Sequence, residues 1–197
     1  VRFYGDLPGE EIAPEEHLSR LDAQHRETAR VLRDPRFALD GRRLDAVIDG
    51  FERALEAARP ALEARVRAGR IVEGHGDLRP EHVCLSEPPA IIDCLEFDRT
   101  LRLVDPFDEI AFLGMEAARL GDDGVFPFLR ERLAQRLPDD PGDALLGLYW
   151  RYRALLRARL SLLHLVEPNP REPEKWRPQA WTYVRLAEEA GLRCRSR

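Results

Sequence analysis

Residues 74–108 read GHGDLRPEHVCLSEPPAIIDCLEFDRTLRLVDPFD, and the reading of this stretch decides the fold. It opens with a polar loop, His75-Gly76-Asp77-Leu78-Arg79-Pro80-Glu81-His82. Two short apolar runs follow, Val83-Cys84-Leu85 and Ala90-Ile91-Ile92, on either side of the turn former Ser86-Glu87-Pro88-Pro89. That pattern predicts a hairpin of buried strands. Asp93 stands where the second strand ends, so the hairpin is expected to bring Asp77 and Asp93 to one end of a small sheet. Two carboxylates held there suit metal-assisted phosphoryl transfer. One orients or deprotonates a hydroxyl, and the other holds Mg2+ against phosphates.

Working outward, Arg70-Ile71-Val72-Glu73 fits a short strand leading into the loop, and the chain before it is patterned as helix. Pro14, Glu15 and Glu16 open a helix over about 14–33, with Leu18, Leu21, Ala29 and Leu32 as its apolar stripe, and Asp34-Pro35 stops it. Val47, Ile48, Phe51, Leu55 and Ala58 predict a helix over 44–59. Pro60 reads as an interruption, followed by a further helix to Ala68 capped by Gly69. Residues 1–13 read as irregular, with Phe3 and Tyr4 as a strand end or hinge.

Downstream, 96–104 reads as a connecting loop. Asp105-Pro106 then supplies N-cap and N1 of a helix to Leu120, ended by Gly121, with Asp108 and Glu109 in its first turn. Helices are also expected over 125–137, stopped by Pro138, and over 144–166, capped by Asp143. A Pro-rich loop at 167–178 precedes a last helix over 179–190. The expected class is α+β, mainly helical, with one small sheet. It divides into a helical lead-in (1–69), a catalytic-loop and hairpin segment (70–121) and C-terminal helices (122–197).

At 197 residues, with 44% hydrophobic and 34% charged, the chain has the composition of a folded domain with a real core. Its net charge of −5, with both signs mixed along the chain, argues against nucleic acid as a partner. No apolar run reaches bilayer length and no signal-peptide pattern opens the sequence, so no membrane partner is expected. Three cysteines without metal spacing set a reducing cytoplasm as the expected compartment.

His75-Gly76-Asp77, then His82, then Ile92-Asp93, then Asp105-Pro106-Phe107-Asp108-Glu109-Ile110-Ala111 are three ordered motifs. Together they resemble the aminoglycoside phosphotransferase (choline-kinase-like) family, whose pattern is HGDxxxxN, a hydrophobic-ID step, and DPxxDLA. The wording GHGDL, with Phe97 after Asp93-Cys94-Leu95-Glu96 and Tyr152-Arg153-Ala154-Leu155-Leu156-Arg157-Ala158-Arg159 later, is most similar to an uncharacterised bacterial subgroup. In that subgroup such a domain can be fused to a P-loop ATPase. The resemblance covers about residues 60–160 and implies the C-terminal lobe of a protein-kinase-like fold.

What the resemblance implies is ATP-dependent transfer of a phosphoryl group to a hydroxyl of a small molecule. Asp77 falls at the catalytic aspartate, which serves as base or orients the hydroxyl, and Asp93 at the Mg2+ ligand that holds the nucleotide. His82 stands where the pattern has asparagine, a second metal ligand; imidazole suits Mg2+ less well than an amide oxygen. An altered second metal site, tolerance of Mn2+ and weak catalysis are all open. His75 and Gly76 are expected to shape the loop, and Asp105 and Asp108 to fix the helix against it.

Such a kinase holds its phosphates with a lysine and a flexible loop of an N-terminal lobe. The one lysine here is Lys175, and no Gly-rich loop precedes His75. The expectation is therefore a chain without that lobe, either a fragment or a form that has lost it, with the lobe or a P-loop ATPase as fused or separate partner. Two rivals follow. One is a catalytically inactive kinase-like binding or regulatory module. The other is a metal hydrolase using His75, Asp77 and His82, a spacing that matches no strong hydrolase signature.

Overall fold

Tyr4 makes the first departure from expectation. In the computed structural model, which describes residues 1–137 and 139–195, Arg2–Asp6 forms a short helix, α1, that buries Tyr4. The tyrosine reaches a carboxylate far along the chain, and that long-range bond holds residues that local pattern left irregular. Pro14–Leu32 is helix α2, begun by Pro14 with Glu15 and Glu16 in the first turn, as expected.

Helix α3, Gly41–Arg67, corrects the expectation of two helices broken at Pro60. Proline deletes only the bond from its own nitrogen to the carbonyl four residues back. Pro60 and Glu56 are both exposed, so water serves the orphaned carbonyl while Leu55, Leu62 and Val66 stay buried on the other side. After Ala68 the chain turns at Gly69, φ +66°. Gly69 N bonds Val66 O and Arg70 N bonds Arg65 O, a Schellman arrangement that closes the helix end.

The sheet component is two separate pairs rather than one. Strand β1, Val72–Glu73, is followed by the hairpin of β2, Val83–Cys84, and β3, Ala90–Ile91, in register Val83↔Ile91. β1 pairs antiparallel with β4, Leu103–Val104, inside the segment expected as a connecting loop. The hairpin forms where expected but is not buried: Leu85 is 92% exposed and Ile91 and Ile92 each 50%.

Asp105 caps α4, Pro106–Arg119, its carboxylate accepting the Phe107 amide. Helix α5 is Val125–Arg136; the proposed stop at Pro138 lies outside the described residues. Helix α6, Asp143–Leu163, is capped by Gly142 at φ +82° rather than by Asp143, whose carboxylate instead takes a bond from Arg130. It ends earlier than expected, passing into a 3-10 turn at His164–Val166. Helix α7, Pro173–Arg193, starts six residues before the expected 179 and runs through Gly191. Pro173 starts it at N1, and Pro178 is tolerated because it and Glu174 are exposed.

The architecture is mainly helical α+β. α6 is buried nearly all round, its Leu146, Trp150, Ala154, Ala158 and Leu162 packed among α2, α3, α4 and α7. Trp150 donates its indole N–H to Leu186 O across the α6–α7 contact, 3.0 Å. Among the described residues no helix is long and apolar enough to cross a membrane.

Candidate functional site

The polar loop leaves β1 at Gly74 and is gripped from below by a single buried carboxylate. Glu109, on the first turn of α4 and fully inaccessible, accepts from Tyr4 Oη (2.6 Å) and the His75 amide (2.9 Å) on Oε2, and from the Gly76 amide (3.0 Å) on Oε1. Burial raises Glu109 above the usual carboxylate range, opposed first by the charge of Arg153. Tyr4 is raised by burial and then by Glu109, so its hydroxyl keeps its proton and donates.

Arg153, on α6, grips the loop's other side. It makes a two-pronged pair with Asp108 (2.8 and 2.6 Å) and donates to Gly76 O (2.9 Å). Burial alone pulls the guanidinium down, but Asp108 outweighs it and holds Arg153 charged. Asp105 is likewise enclosed, with Arg65 paired to its carboxylate and Tyr149 Oη donating at 3.0 Å. Both aspartates are thus tied up in the scaffold that carries the loop.

Gly76 has φ +84°, where only glycine is unstrained, and a Cβ there would lie 2.8 Å from Leu101 O. The turn it makes places Asp77. His75 Nε2 lies 2.7 Å from Ile92 O and must donate, which leaves Nδ1 to accept the Asp77 amide at 3.3 Å. The histidine therefore ties the loop to the end of the hairpin.

Asp77, His82 and Asp93 converge through the imidazole of His82. Its Nδ1 donates to Asp77 O (2.8 Å) and lies 3.9 Å from Asp77 Oδ2; its Nε2 lies 3.2 Å from Asp93 Oδ2. Asp93 sits at φ +62°, an uncommon backbone state for a non-glycine residue, with its side chain 76% exposed. Arg79 folds inward over the loop. Its Nε bonds Asp77 Oδ2 at 3.0 Å and its Nη2 lies 3.0 Å from His82 Nε2.

Asp77 also lines a cleft of about 480 Å3 bounded by the loop, α2 and α6. His17 faces the same cleft; burial, then the charge of Arg20, pushes it down to about 4.

Among the described residues no three His, Cys, Asp or Glu side chains converge as a metal cage. The donors present are the exposed carboxylate of Asp93 at one ring nitrogen of His82 and the carboxylate of Asp77 toward the other. They leave most of a coordination shell to phosphate oxygens and water, as Mg2+ accepts, and make no cage for a metal held by protein alone. His82 Nε2, sharing its surroundings with Arg79, adds an imidazole that Mg2+ does not favour.

Sequence reasoning missed the part played by Glu109, which it took for a first-turn acid, read Tyr4 as a strand end or hinge rather than a buried partner of that acid, and did not single out Arg65. One signal was available: Asp105, Asp108, Glu109, Phe112 and Glu116 share one helical face, and acids on an apolar face need buried partners.

The chain is 32% identical over 130 residues to uncharacterized protein Rv2004c of Mycobacterium tuberculosis and, with the same figures, to uncharacterized protein Mb2027c of Mycobacterium bovis. That match covers 66% of this chain and 26% of each relative, so the chain spans about a quarter of their length. No protein-family profile matches the chain, and no solved structure matches it.

Proposed function

We propose that this chain is the catalytic-loop portion of an ATP-dependent phosphotransferase of the aminoglycoside phosphotransferase type, acting on a hydroxyl of a small molecule. The single observation that supports it most is the meeting of Asp77 and Asp93 on His82 at the rim of a cleft that Asp77 lines. In this reading the acceptor lies in the cleft and the nucleotide beside Asp93. The acceptor oxygen bonds to the γ-phosphorus as the bond from that phosphorus to the β–γ bridging oxygen breaks. ADP leaves with the electron pair, and the hydroxyl proton passes to Asp77. Mg2+, when bound, would neutralise phosphate charge, with Asp93 as its protein ligand and His82 beside it. The lysine and flexible cover for the phosphates come, in this reading, from a fused or separate lobe.

Asp77→Asn is the test. Phosphoryl transfer by a polypeptide carrying this sequence should fall about 10²–10⁴-fold, with Mg2+–ATP affinity and thermal stability unchanged. Turnover that survives the substitution removes the mechanism.

One observation favours a second reading, a binding or regulatory module without catalysis. Arg79 already occupies Asp77 Oδ2 and sits on His82 Nε2, the atoms the catalytic reading needs. Calorimetric titration with ATP, with and without Mg2+, separates the two: metal-dependent binding lost in Asp93→Ala supports the enzyme.

A further inference from the structure

Two arginines that line the same cleft as Asp77 carry donors that nothing among the described residues satisfies. Arg20, on α2, gives its Nη1 to Thr100 O at 3.2 Å, while its Nε and Nη2 are buried without a hydrogen-bond partner. Arg159, on α6, gives Nη1 and Nη2 to Gln24 at 3.4 and 3.3 Å, while its Nε is buried without one. Gln24 is four residues beyond Arg20, one turn along the same face of α2, so both guanidinium groups flank one stretch of the cleft wall. Each is bonded to neutral oxygens and to no carboxylate among the described residues. Buried guanidinium N–H groups are normally satisfied, and acceptors that satisfy them best carry negative charge.

Three of the four acids lining the cleft are ion-paired, and the fourth, Asp98, has only neutral hydrogen-bond donors and feels the charge of Arg20 through space. Asp105 is paired with Arg65, Asp108 with Arg153 and Asp77 with Arg79, while Asp98 accepts from the amide and hydroxyl of Thr100. Two arginines without an ion pair, Arg20 and Arg159, thus stand against one such acid, Asp98, and the balance on the cleft wall is positive. Burial lowers Arg159, without an ion pair to offset it, which is the state an incoming anion would relieve.

We propose that this cleft holds an anionic small molecule bearing a hydroxyl, its carboxylate or phosphate received by Arg20 and Arg159. That this molecule is the phosphoryl acceptor of Asp77 rests on the reading in the preceding section; the anion site itself does not. A polycationic acceptor fits poorly, because three of the four lining acids already have a cation and only Asp98 does not. The volume of about 480 Å3 suits a small metabolite with room for its hydroxyl to approach Asp77.

The test is calorimetric titration of this chain, free of ATP and Mg2+, with glycerate, glycerol 3-phosphate, glycerol and ethanolamine. At least one of the two anions is expected to bind saturably, with glycerol and ethanolamine about tenfold weaker or worse. The tighter anion tells carboxylate from phosphate. Arg20→Gln and Arg159→Gln should each weaken that anion about tenfold, and Arg42→Gln, an exposed control, should leave it unchanged.

Absence of saturable anion binding overturns the proposal, as does equal binding of glycerol or ethanolamine. Unchanged affinity in arginine variants that melt like the parent overturns it too. Should a variant fail to fold, the ranking of the four probes on the parent chain still decides. With ATP, Mg2+ and a polypeptide that carries both this sequence and the nucleotide-binding lobe, anion binding without phosphoryl transfer to that anion leaves this site standing and removes the acceptor reading; transfer to ethanolamine does the opposite.

Discussion

Glu109 receives three hydrogen bonds in a space without water, and two of the donors are backbone amides of the loop that presents Asp77. Glu109→Gln keeps the shape but replaces one acceptor oxygen with a donor, so at least one N–H faces another N–H. An unsatisfied buried group costs about 1–3 kcal/mol, and that loss should appear as a lower urea midpoint with unchanged slope. Tyr4→Phe should lose about 1 kcal/mol, because it deletes a donor and leaves Glu109 two. His17 gives a pH signature. Its folded value of about 4 lies below the ordinary 6.5, so the folded state binds fewer protons between those limits. Stability is full above about pH 6.5 and falls toward pH 4 by about 1–3 kcal/mol, and His25, lowered by burial, adds in the same direction. Denaturant midpoints at pH 7 and pH 4.5 should show the fall, and His17→Gln should reduce it. At this scale the approach of Asp77 and Asp93 to His82 was legible, because the hairpin between them folds the chain back on itself. Glu109 and Tyr4 were not, because the bond joining them spans 105 positions.

Among the elements, helix starts were legible wherever a local group makes them, as at Pro14 and Asp105, and poorly legible where tertiary packing decides. Pro60 and Pro178 read as breaks in one dimension, yet each lies on an exposed helix face where water replaces the lost bond. β4 is two residues long and exists only because β1 lies beside it. The hairpin was found, but apolarity misled about burial: Leu85 and Ile91 remain 92% and 50% exposed. Helix contact itself is testable at Gly114 on α4, where a Cβ would lie 2.4 Å from Phe126 Cβ and 3.0 Å from its Cα. Backbone cannot swing aside as a side chain does, so Gly114→Ala must push α5 away. A loss of about 1–3 kcal/mol in thermal or urea unfolding is expected. Gly50→Ala, where the nearest atom is the flexible end of Arg53 at 3.9 Å, should not lose stability.

For the whole molecule, Arg153 is the joint between scaffold and site, linking α6 to Asp108 on α4 and to Gly76 in the loop. Removing one partner of a buried pair strands the other, and the two choices here are unequal. Arg153→Met leaves Asp108 buried beside Glu109 with no cation, and about 3–5 kcal/mol should be lost. Asp108→Leu leaves Arg153 with Glu109 Oε1 at 3.9 Å and Gly76 O still in place, so its loss should be smaller. The double variant replaces a buried ion pair by apolar groups of similar size and should recover much of the single losses. It does not restore the donor to Gly76 O. Folding and site order therefore separate: the double variant should unfold in urea close to the parent, while backbone amide exchange around Gly76 and Asp77 speeds up. Strictly additive losses in the double variant would show that Arg153 and Asp108 act independently, and unchanged exchange at Gly76 would show that α6 does not hold the loop.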